Sequence, residues 1–368
     1  MKLVFIKNNL KRVVDAVARI CGESSNLPIL KNLLIEAKDG LIKLSATNLE
    51  VGVVQTCPGK IIESGAVTVP AGVLNSIVSN LTSEVVNLSV EKDKFNIQTD
   101  NYEAQIQTLA VGDFPIIPNI TNKEKPVLVL AAEKLKEAMT QVISATTISD
   151  LRPEINGVLI MAEDRELKIA GTDSFRLGEK IIYKEDFSLE KDENWSLIVP
   201  LKTVNELLRI LPEEGEIKVY LDSNQILFSS DGIMIISHLI DGNFPDYKQI
   251  IPKTYDTEAT ASKEEITTAL KVTGVLSSKI SDVTVAVNKN FIEIKSVNQG
   301  VGENKYLVPA KITGGAGNIV FNWHYLLAGI RSVKGNEIRL KINFKDKPTA
   351  ITAPGDDSYI YILMPVKA

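Results

Sequence analysis

Three segments of this sequence contain residue types that do chemistry in enzymes. Gly314-Gly315-Ala316-Gly317 is glycine-rich like a phosphate-binding loop, while Asp356-Asp357 and Asp192-Glu193 are adjacent acids of the kind used in acid–base catalysis. None belongs to a fuller pattern, since the chain contains neither a G-x-x-x-x-G-K-[ST] loop nor a G-x-S-x-G elbow. Acids in turn-like surroundings are usually solvated. We therefore expect no catalytic residues and no enzymatic activity, and an ordinary loop at 314–317.

Cysteine and histidine, which bind transition metals in many proteins, are scarce. Cys21 and Cys57 are too far apart for a paired zinc knuckle and too few for a disulfide framework. His238 lies in a strand-like run and His324 in a helix-like run, and neither has an H-E-x-x-H neighbourhood. The sequence predicts free thiols, packing or surface histidines, no metal site and no cofactor.

The composition is that of a globular protein of two or three domains. The 368 residues are 44% apolar and 24% charged, and no apolar run approaches the roughly 18 residues that cross a bilayer. The charged start of the chain offers no small-residue cleavage site. We expect a cytoplasmic protein without a membrane partner. Its net charge of −5 requires any nucleic-acid contact to come from a local basic surface.

The elements that would position functional groups repeat along the chain at domain scale. Val69-Pro70-Ala71-Gly72-Val73-Leu74 returns as Val199-Pro200-Leu201-Lys202-Thr203-Val204, and Gly112-Asp113-Phe114-Pro115 returns as Gly242-Asn243-Phe244-Pro245. From 69 to 199 and from 112 to 242, the displacement is 130 residues in both cases. Such self-similarity indicates duplicated structural units.

Each repeat shows the same order of helix, short strands and helix. Apolar residues at i, i+3, i+4 and i+7 predict the first helix of the first two repeats, at Leu10, Val13, Val14 and Val17 and at Leu135, Ala138, Met139 and Val142. Ile266, Ala269, Leu270 and Thr273 repeat this spacing less cleanly in the third repeat. Between the helices, short runs with turn residues such as Asp39-Gly40 predict antiparallel hairpins. We predict an α+β fold of three repeated domains with two helices each, at 1–120, 126–247 and 254–368.

Four segments resemble the bacterial DNA sliding clamp family, the beta subunits of DNA polymerase III, in the same order along the chain. They are Leu27-Pro28-Ile29-Leu30-Lys31-Asn32-Leu33-Leu34, Thr172-Asp173-Ser174-Phe175-Arg176-Leu177, Gly242-Asn243-Phe244-Pro245-Asp246-Tyr247 and Met364-Pro365-Val366-Lys367. The resemblance covers the whole chain. It implies a non-catalytic processivity factor, in which two three-domain protomers meet head to tail in a closed homodimeric ring around double-stranded DNA.

The resemblance also implies where DNA would lie. In such a ring the helices face the central hole, and basic side chains on them contact phosphates without reading bases. The residues expected to face DNA are Lys11, Arg12, Arg19, Lys134, Lys202, Lys271 and Arg331 on or beside helices, and Arg152 in a loop. Solvated helix faces, and a local salt bridge for Arg152, are the alternatives. The loop Gly22-Glu23-Ser24-Ser25-Asn26 lacks the basic residue that relatives often carry there.

A hydrophobic cleft between the second and third domains would accept short peptides of partner proteins. By resemblance it is lined by Ile155, Thr172, Arg176, Leu177, Pro245, Ile250, Ile362, Met364, Pro365 and Val366. The implied partners are the catalytic subunit of the replicative polymerase, the clamp loader, and other repair and replication proteins with clamp-binding motifs. Phe175 and the ending Val366-Lys367-Ala368 depart from commoner family versions, so the peptide preference can differ.

The dimer contact is expected at apolar positions of the first and third domains, namely Ile77, Ile106, Val275 and Leu276. Burial in the core is the alternative for each. A protein-binding scaffold that shares the clamp fold is the main competing function. A scaffold needs no positive potential in the hole, so the basic helix faces discriminate between the two.

Overall fold

A computed structural model of the chain describes residues 1–22, 27–91, 94–118, 120, 125–149, 151–163, 165–190 and 194–366. The α-helices within these ranges are Lys7–Ala18 (α1), Ala71–Asn80 (α2), Ala132–Ile143 (α3), Leu201–Ile210 (α4), Lys263–Gly274 (α5) and Trp323–Ser332 (α6). Short 3-10 helices span Pro28–Lys31, Val111–Asp113, Pro153–Ile155, Lys184–Asp186 and Tyr247–Ile250.

The strands follow the helix–strands–helix order that the sequence predicts. They are Lys2–Ile6 (β1), Asn32–Lys38 (β2), Leu41–Thr47 (β3), Val51–Thr56 (β4), Lys60–Glu63 (β5), Gly65–Pro70 (β6), Val85–Glu91 (β7), Lys94–Gln98 (β8), Glu103–Gln107 (β9), Leu128–Ala131 (β10), Gly157–Glu163 (β11), Glu166–Thr172 (β12), Arg176–Tyr183 (β13), Phe187–Leu189 (β14), Trp195–Pro200 (β15), Glu216–Asp222 (β16), Gln225–Ser230 (β17), Ile233–His238 (β18), Thr257–Ser262 (β19), Asp282–Val287 (β20), Phe291–Asn298 (β21), Gly302–Gly314 (β22), Gly317–Asn322 (β23), Glu337–Ile342 (β24), Thr349–Ala353 (β25) and Asp356–Leu363 (β26).

The chain divides into two compact units. The first contains Met1–Glu133, Phe187–Lys191 and Asn205–Leu239, and the second contains Lys134–Asp186, Asp192–Val204 and Ile240–Ala368. Both are α+β, with antiparallel pairing throughout the described strands. The α+β class and the paired helices of the sequence prediction are confirmed.

The first unit contains two sheets, ordered β5-β1-β7-β8-β9 and β14-β10-β16-β17-β18-β4-β3-β2-β6. Helix α1 forms because Leu10, Val13, Val14 and Val17 present one apolar face, and all four are buried. The β2–β3 hairpin closes through Asp39 and Gly40, whose φ values of 51° and 78° are the pair that a tight two-residue turn requires. The predicted strand–turn–strand unit is therefore correct.

The second unit is built on one sheet of order β15-β11-β12-β13-β26-β25-β24-β19-β22-β21-β20-β23. Ser262 caps the N-terminus of α5, where its side chain accepts a hydrogen bond from the Glu265 N–H. Asn322 caps α6 in the same way, because its side chain accepts from the N–H groups of His324 and Tyr325. The apolar face predicted for α5 is buried, as is the face predicted for α3. The sheet and helices together bury the ends of β13 and β26, where the candidate site lies.

Candidate functional site

A tight turn connects β12 to β13 and fixes the start of the candidate site. The Thr172 hydroxyl donates to the Arg176 carbonyl at 2.7 Å and accepts from the Ser174 N–H at 3.1 Å. The Asp173 carboxylate accepts from the N–H groups of Phe175 and Arg176, both at 3.0 Å. Ser174 has a φ of 77°, in the left-handed region. The turn leaves Phe175 61% exposed at its tip.

The Arg176 side chain, which follows this turn, contacts Asp173 and Tyr325. Its Nε lies 2.8 Å from Asp173 Oδ2, and its guanidinium carbon lies 4.2 Å from the centre of the Tyr325 ring. The Tyr361 hydroxyl donates to the Tyr325 carbonyl at 3.0 Å and so supports the segment that carries the ring. Burial alone would lower the pKa of Arg176, but Tyr361 and Asp173 outweigh it and hold that pKa above its ordinary value. The cation is therefore permanent and oriented.

The floor beside Arg176 is apolar. Leu177 pairs with Ile362 across β13 and β26, and both side chains are buried together with Tyr247 in one cluster. The Tyr247 hydroxyl donates to the Glu179 carboxylate, and burial, then that carboxylate, raise the pKa of Tyr247. Tyr247 is thus anchored as a neutral hydrogen-bond donor beneath the floor.

The remaining predicted cleft residues lie outside these strands. Met364, Pro365 and Val366 are half-buried, with the Met364 N–H bonded to the Phe175 carbonyl at 2.9 Å and the Val366 N–H to the Val320 carbonyl at 2.9 Å. Ile155 is buried on the 3-10 helix Pro153–Ile155. Pro245 is half-buried in the segment before the 3-10 helix Tyr247–Ile250, and Ile250, at the end of that helix, is 42% exposed. Lys367-Ala368 lie outside the described residues.

The structure therefore brings Thr172, Arg176, Leu177, Ile362 and Met364 together at the adjoining ends of three strands. Sequence reasoning missed three contributors, which are Asp173, Tyr247 and Tyr325. The first two lie inside the family-like segments, where they could have been found. Tyr325 lies in α6, far along the chain, where its spacing provided no signal.

The predicted DNA-facing residues differ in their surroundings. Side chains of Arg12, Arg19, Lys202, Lys271 and Arg331 are exposed and Lys11 is half-buried. Helix α1 carries three basic residues and one acidic one. The loop residues 23–26, which lack the basic residue of relatives, lie outside the described ranges, as does Asp192-Glu193.

Two of the predicted cations form local ion pairs. Lys134 Nζ lies 2.8 Å from Asp186 Oδ2, and Arg152 Nε lies 3.1 Å from Glu154 Oε1. The pKa of Glu154 is lowered, first by a hydrogen bond from its own backbone N–H and then by Arg152. Arg152 also donates to the Ser174 hydroxyl at 2.9 Å, which ties this loop to the turn of the candidate site. The local salt bridge foreseen for Arg152 is present.

The four predicted dimer residues lie at apolar, accessible places in their own units. In the first unit, Ile77 on α2 and Ile106 on β9 are half-buried, and β9 is the last strand of its sheet. In the second unit, Val275, at the end of α5, is 79% exposed and Leu276 is half-buried. None of the four is fully buried in the single chain.

Catalytic chemistry finds little support in the part of the chain that the structure describes. Burial raises the pKa of the Cys21 and Cys57 thiols to about 12, which keeps both protonated and unreactive. In the same residues, no group of three or more His, Cys, Asp and Glu side chains is placed to hold a metal ion. No described helix has both the length and the apolar character to cross a membrane.

Comparisons with known proteins agree on one family. Its profiles match in chain order, with the DNA polymerase III beta subunit N-terminal domain at residues 1–118, the central domain at 129–246 and the C-terminal domain at 248–367. The chain is similar to the beta sliding clamp of Synechococcus elongatus, with 26% identity over 100% of this chain and 99% of the relative.

Solved structures give the same result. The DNA polymerase III beta subunit of Thermotoga maritima is 26% identical, with a TM-score of 0.91 over 100% of this chain and 99% of that one. The sliding clamp of Bartonella birtlesii bound to griselimycin is 26% identical, with a TM-score of 0.92 over the whole of both chains. This chain belongs to the DNA polymerase III beta subunit family, the sliding clamps, which are non-catalytic processivity factors of DNA replication.

Proposed function

We propose that this chain performs its clamp function in the cytoplasm as a homodimeric ring that encircles duplex DNA and tethers partner proteins through the cleft beside Arg176. Each of the two protomers would contribute three domains, at 1–120, 126–247 and 254–368, so the ring would contain six similar domains. The partners proposed for the cleft are the replicative polymerase catalytic subunit, the clamp loader, and other proteins that carry clamp-binding motifs.

The observation that carries this proposal is the composition of the cleft. A buried apolar floor at Leu177 and Ile362 lies beside a fixed cation at Arg176, and an adaptable thioether at Met364 forms the rim. Such a surface suits an extended peptide with apolar anchors, because Met repacks around different side chains. A relative, the Bartonella birtlesii clamp, has been solved bound to griselimycin, which supports ligand binding in the family.

Two strand edges support the proposed dimer. In the first unit, β9 pairs with β8 on one side and has no further strand partner among the described residues. In the second unit, residues 302–307 of β22 pair with β21, while only 310–314 pair with β19. Open edges of this kind invite pairing with another chain. A head-to-tail dimer would place β9 of one protomer against β22 of its partner and cover both edges.

Apolar side chains surround the second of these edges. Val272, Val275, Val297, Val301 and Leu307 are all about half-exposed or more. The Asn304 side chain donates to the Val272 carbonyl at 3.1 Å, which joins β22 to the end of α5. An exposed apolar group of this size marks an interaction surface. It adjoins the predicted contact at Val275 and Leu276.

The proposed cleft is tested with Met364→Glu, which puts a charge on its rim at a half-buried position. We expect loss of polymerase stimulation on primed circular DNA, because the desolvated anchor of the partner peptide would meet a carboxylate. Leu41→Glu, at a 50% exposed position of the β2–β3 hairpin, is the control and should stimulate normally. Full stimulation by Met364→Glu would contradict the proposal.

The ring itself is tested by negative-stain electron microscopy of the same proteins. Class averages of the wild type, Met364→Glu and Leu41→Glu should all show a ring around a central hole. Compact particles without a hole, at a mass near one 40.3 kDa chain, would refute the ring.

A further inference from the structure

The first unit contains an open pocket that the proposed clamp function does not use. Its cavity has a volume of about 140 Å³ and lies where β4 and β18 meet the segment 115–118. Its main lining residues are Thr47, Gly52, Pro115, Ile117, Ile236 and His238. We call it the second pocket.

The turn at the edge of the second pocket has the same hydrogen bonds as the turn of the cleft. The Thr47 hydroxyl donates to the Val51 carbonyl at 2.9 Å and accepts from the Leu49 N–H at 3.0 Å. Asn48 Oδ1 accepts from the N–H groups of Glu50 and Val51, at 3.0 and 2.8 Å. Leu49 has a φ of 74°, matching the 77° of Ser174 in the cleft turn. Thr47 therefore corresponds to Thr172.

The strand register extends this correspondence across the pocket floor. Gly52 pairs with Ile236 as Leu177 pairs with Ile362. The His238 N–H donates to the Glu50 carbonyl at 3.1 Å, just as the Met364 N–H donates to the Phe175 carbonyl at 2.9 Å.

The wall of the pocket completes the match. Pro115 lies in Gly112-Asp113-Phe114-Pro115, the earlier copy of the segment that ends in cleft residue Pro245. The second pocket is thus the counterpart of the cleft in the internal repeat.

Two replacements give the second pocket its own chemistry. Gly52 stands where the cleft has Leu177, and a Cβ there would lie 3.0 Å from methyl groups of both Ile117 and Ile236. These two side chains therefore pack directly onto Gly52 and occupy the place of the leucine. Beside them, the pocket volume of about 140 Å³ is close to the roughly 150 Å³ of an apolar cavity that binds benzene, so the pocket accommodates one leucine-sized side chain. His238 stands where the cleft has Met364, and its Nε2 lies 3.4 Å from Gln225 Nε2. The rim is therefore polar and hydrogen-bonding.

We propose that the second pocket is a second peptide-binding site, which accepts an extended segment of a partner protein and buries one aliphatic side chain of it against Ile117 and Ile236. His238 and Gln225 at the rim hydrogen-bond the peptide backbone. This inference rests on the proposed function, because the cleft is the pattern from which the ligand class is taken. It gives each chain two places to hold a partner.

The test uses the full-length protein with ¹³C-labelled isoleucine δ-methyl groups and NMR titration. The probe is N-acetyl-leucine N′-methylamide, and N-acetyl-glycine N′-methylamide is its control without an aliphatic side chain. Methyl signals of Ile236 and Ile117 report the second pocket, and that of Ile362 reports the cleft. We expect saturable shifts at Ile236 and Ile117 with the leucine probe, on the order of millimolar affinity for so small a ligand.

Reciprocal variants separate the two sites. His238→Trp covers the mouth of the second pocket and should abolish the shift at Ile236 while leaving that at Ile362. Met364→Trp should do the opposite. A signal of Ile236 that stays fixed while Ile362 moves overturns the second pocket alone, and the reverse outcome overturns the cleft of the proposed function alone.

Two further outcomes would also overturn the assignment. Equal shifts with the glycine probe would mean that no side chain is recognised. Shifts at Ile236 that depend on protein concentration, without any probe, would mean that a second copy of this chain is the occupant.

Discussion

The Arg176 guanidinium lies over the Tyr325 ring with its carbon 4.2 Å from the ring centre, while its Nε is 2.8 Å from the Asp173 carboxylate. The Asp173 side chain is only 1% exposed, so its charge requires a partner inside the protein. Arg176 provides that partner and is held in place by it. A positive group is thereby fixed in the proposed cleft.

Arg176→Lys is expected to weaken binding of the polymerase about 5- to 30-fold, which corresponds to roughly 1–2 kcal/mol. Lysine keeps the charge but loses both the planar stacking on Tyr325 and the oriented contact with Asp173. Surface plasmon resonance with immobilised clamp measures the effect. Arg165→Lys, at an exposed position of the β11–β12 hairpin, is the matched control and should bind normally. Unchanged binding by Arg176→Lys would contradict a role for the oriented guanidinium in partner binding.

Val275→Asp is expected to convert the dimer to monomers. The Val275 side chain is 79% exposed in the single chain, so the carboxylate costs little in folding but would be desolvated in the proposed interface. Light scattering after size exclusion should give the mass of one chain, 40.3 kDa, instead of two. Leu151→Asp, at a 92% exposed loop position, is the control and should remain dimeric. A dimeric, folded Val275→Asp would refute this interface.

The helices and hairpins were predictable because their signals are local. Leu10, Val13, Val14 and Val17 cover one face at helical spacing, and this face alone fixes α1. Asp39-Gly40 supplies the two positive φ values of a tight turn without help from the rest of the chain. The repeat then made the elements of the later domains predictable from those of the first domain.

Contacts between distant segments were not predictable in this way. The stacking of Arg176 on Tyr325 depends on how α6 packs beside β13, which no local pattern encodes. The same is true of Gly52, which reads as an ordinary strand glycine until the register places it opposite Ile236. The ion pair between Lys134 and Asp186 is another contact between distant segments. It gives a local partner to a lysine that we predicted to face DNA.

Glu137→Gln is expected to destabilise the protein by roughly 1–3 kcal/mol near neutral pH. Glu137, with its side chain 15% exposed, pairs with Lys180 at 3.2 Å and Lys334 at 2.6 Å. Burial by itself raises the pKa of Glu137, but hydrogen bonds and charge from these lysines outweigh it and lower that pKa. Removing the carboxylate leaves Lys180, whose side chain is 11% exposed, without this partner.

The same variant should show a distinctive pH dependence. Because the folded-state pKa of Glu137 is below its unfolded value near 4.5, its contribution is fully present above that pH and is lost as pH falls through the folded-state pKa. Thermal unfolding followed by circular dichroism should give lower midpoints for Glu137→Gln at pH 7, converging with the wild type under acid. Glu185→Gln, at an exposed position, is the control. A gap that persists at low pH would contradict an ionic origin.

Replacing Arg12, Lys271 and Arg331 together by alanine is expected to reduce the salt dependence of DNA binding. These side chains are exposed on or at the ends of three helices, where the proposed ring would turn them toward phosphates. In a plot of the logarithm of the binding constant against the logarithm of the salt concentration, each neutralised phosphate adds about 0.9 to the steepness of the slope. The slope for the variant should therefore become shallower by about 0.9 for every phosphate that it no longer neutralises. Fluorescence anisotropy with a short duplex between about 50 and 200 mM salt measures it. A control triple variant at the exposed loop residues Lys253, Lys289 and Lys347 removes the same charge. Equal slopes for the two triple variants would mean that net charge, and not the helix faces, attracts DNA. A protein-binding scaffold with the clamp fold would then account better for this chain.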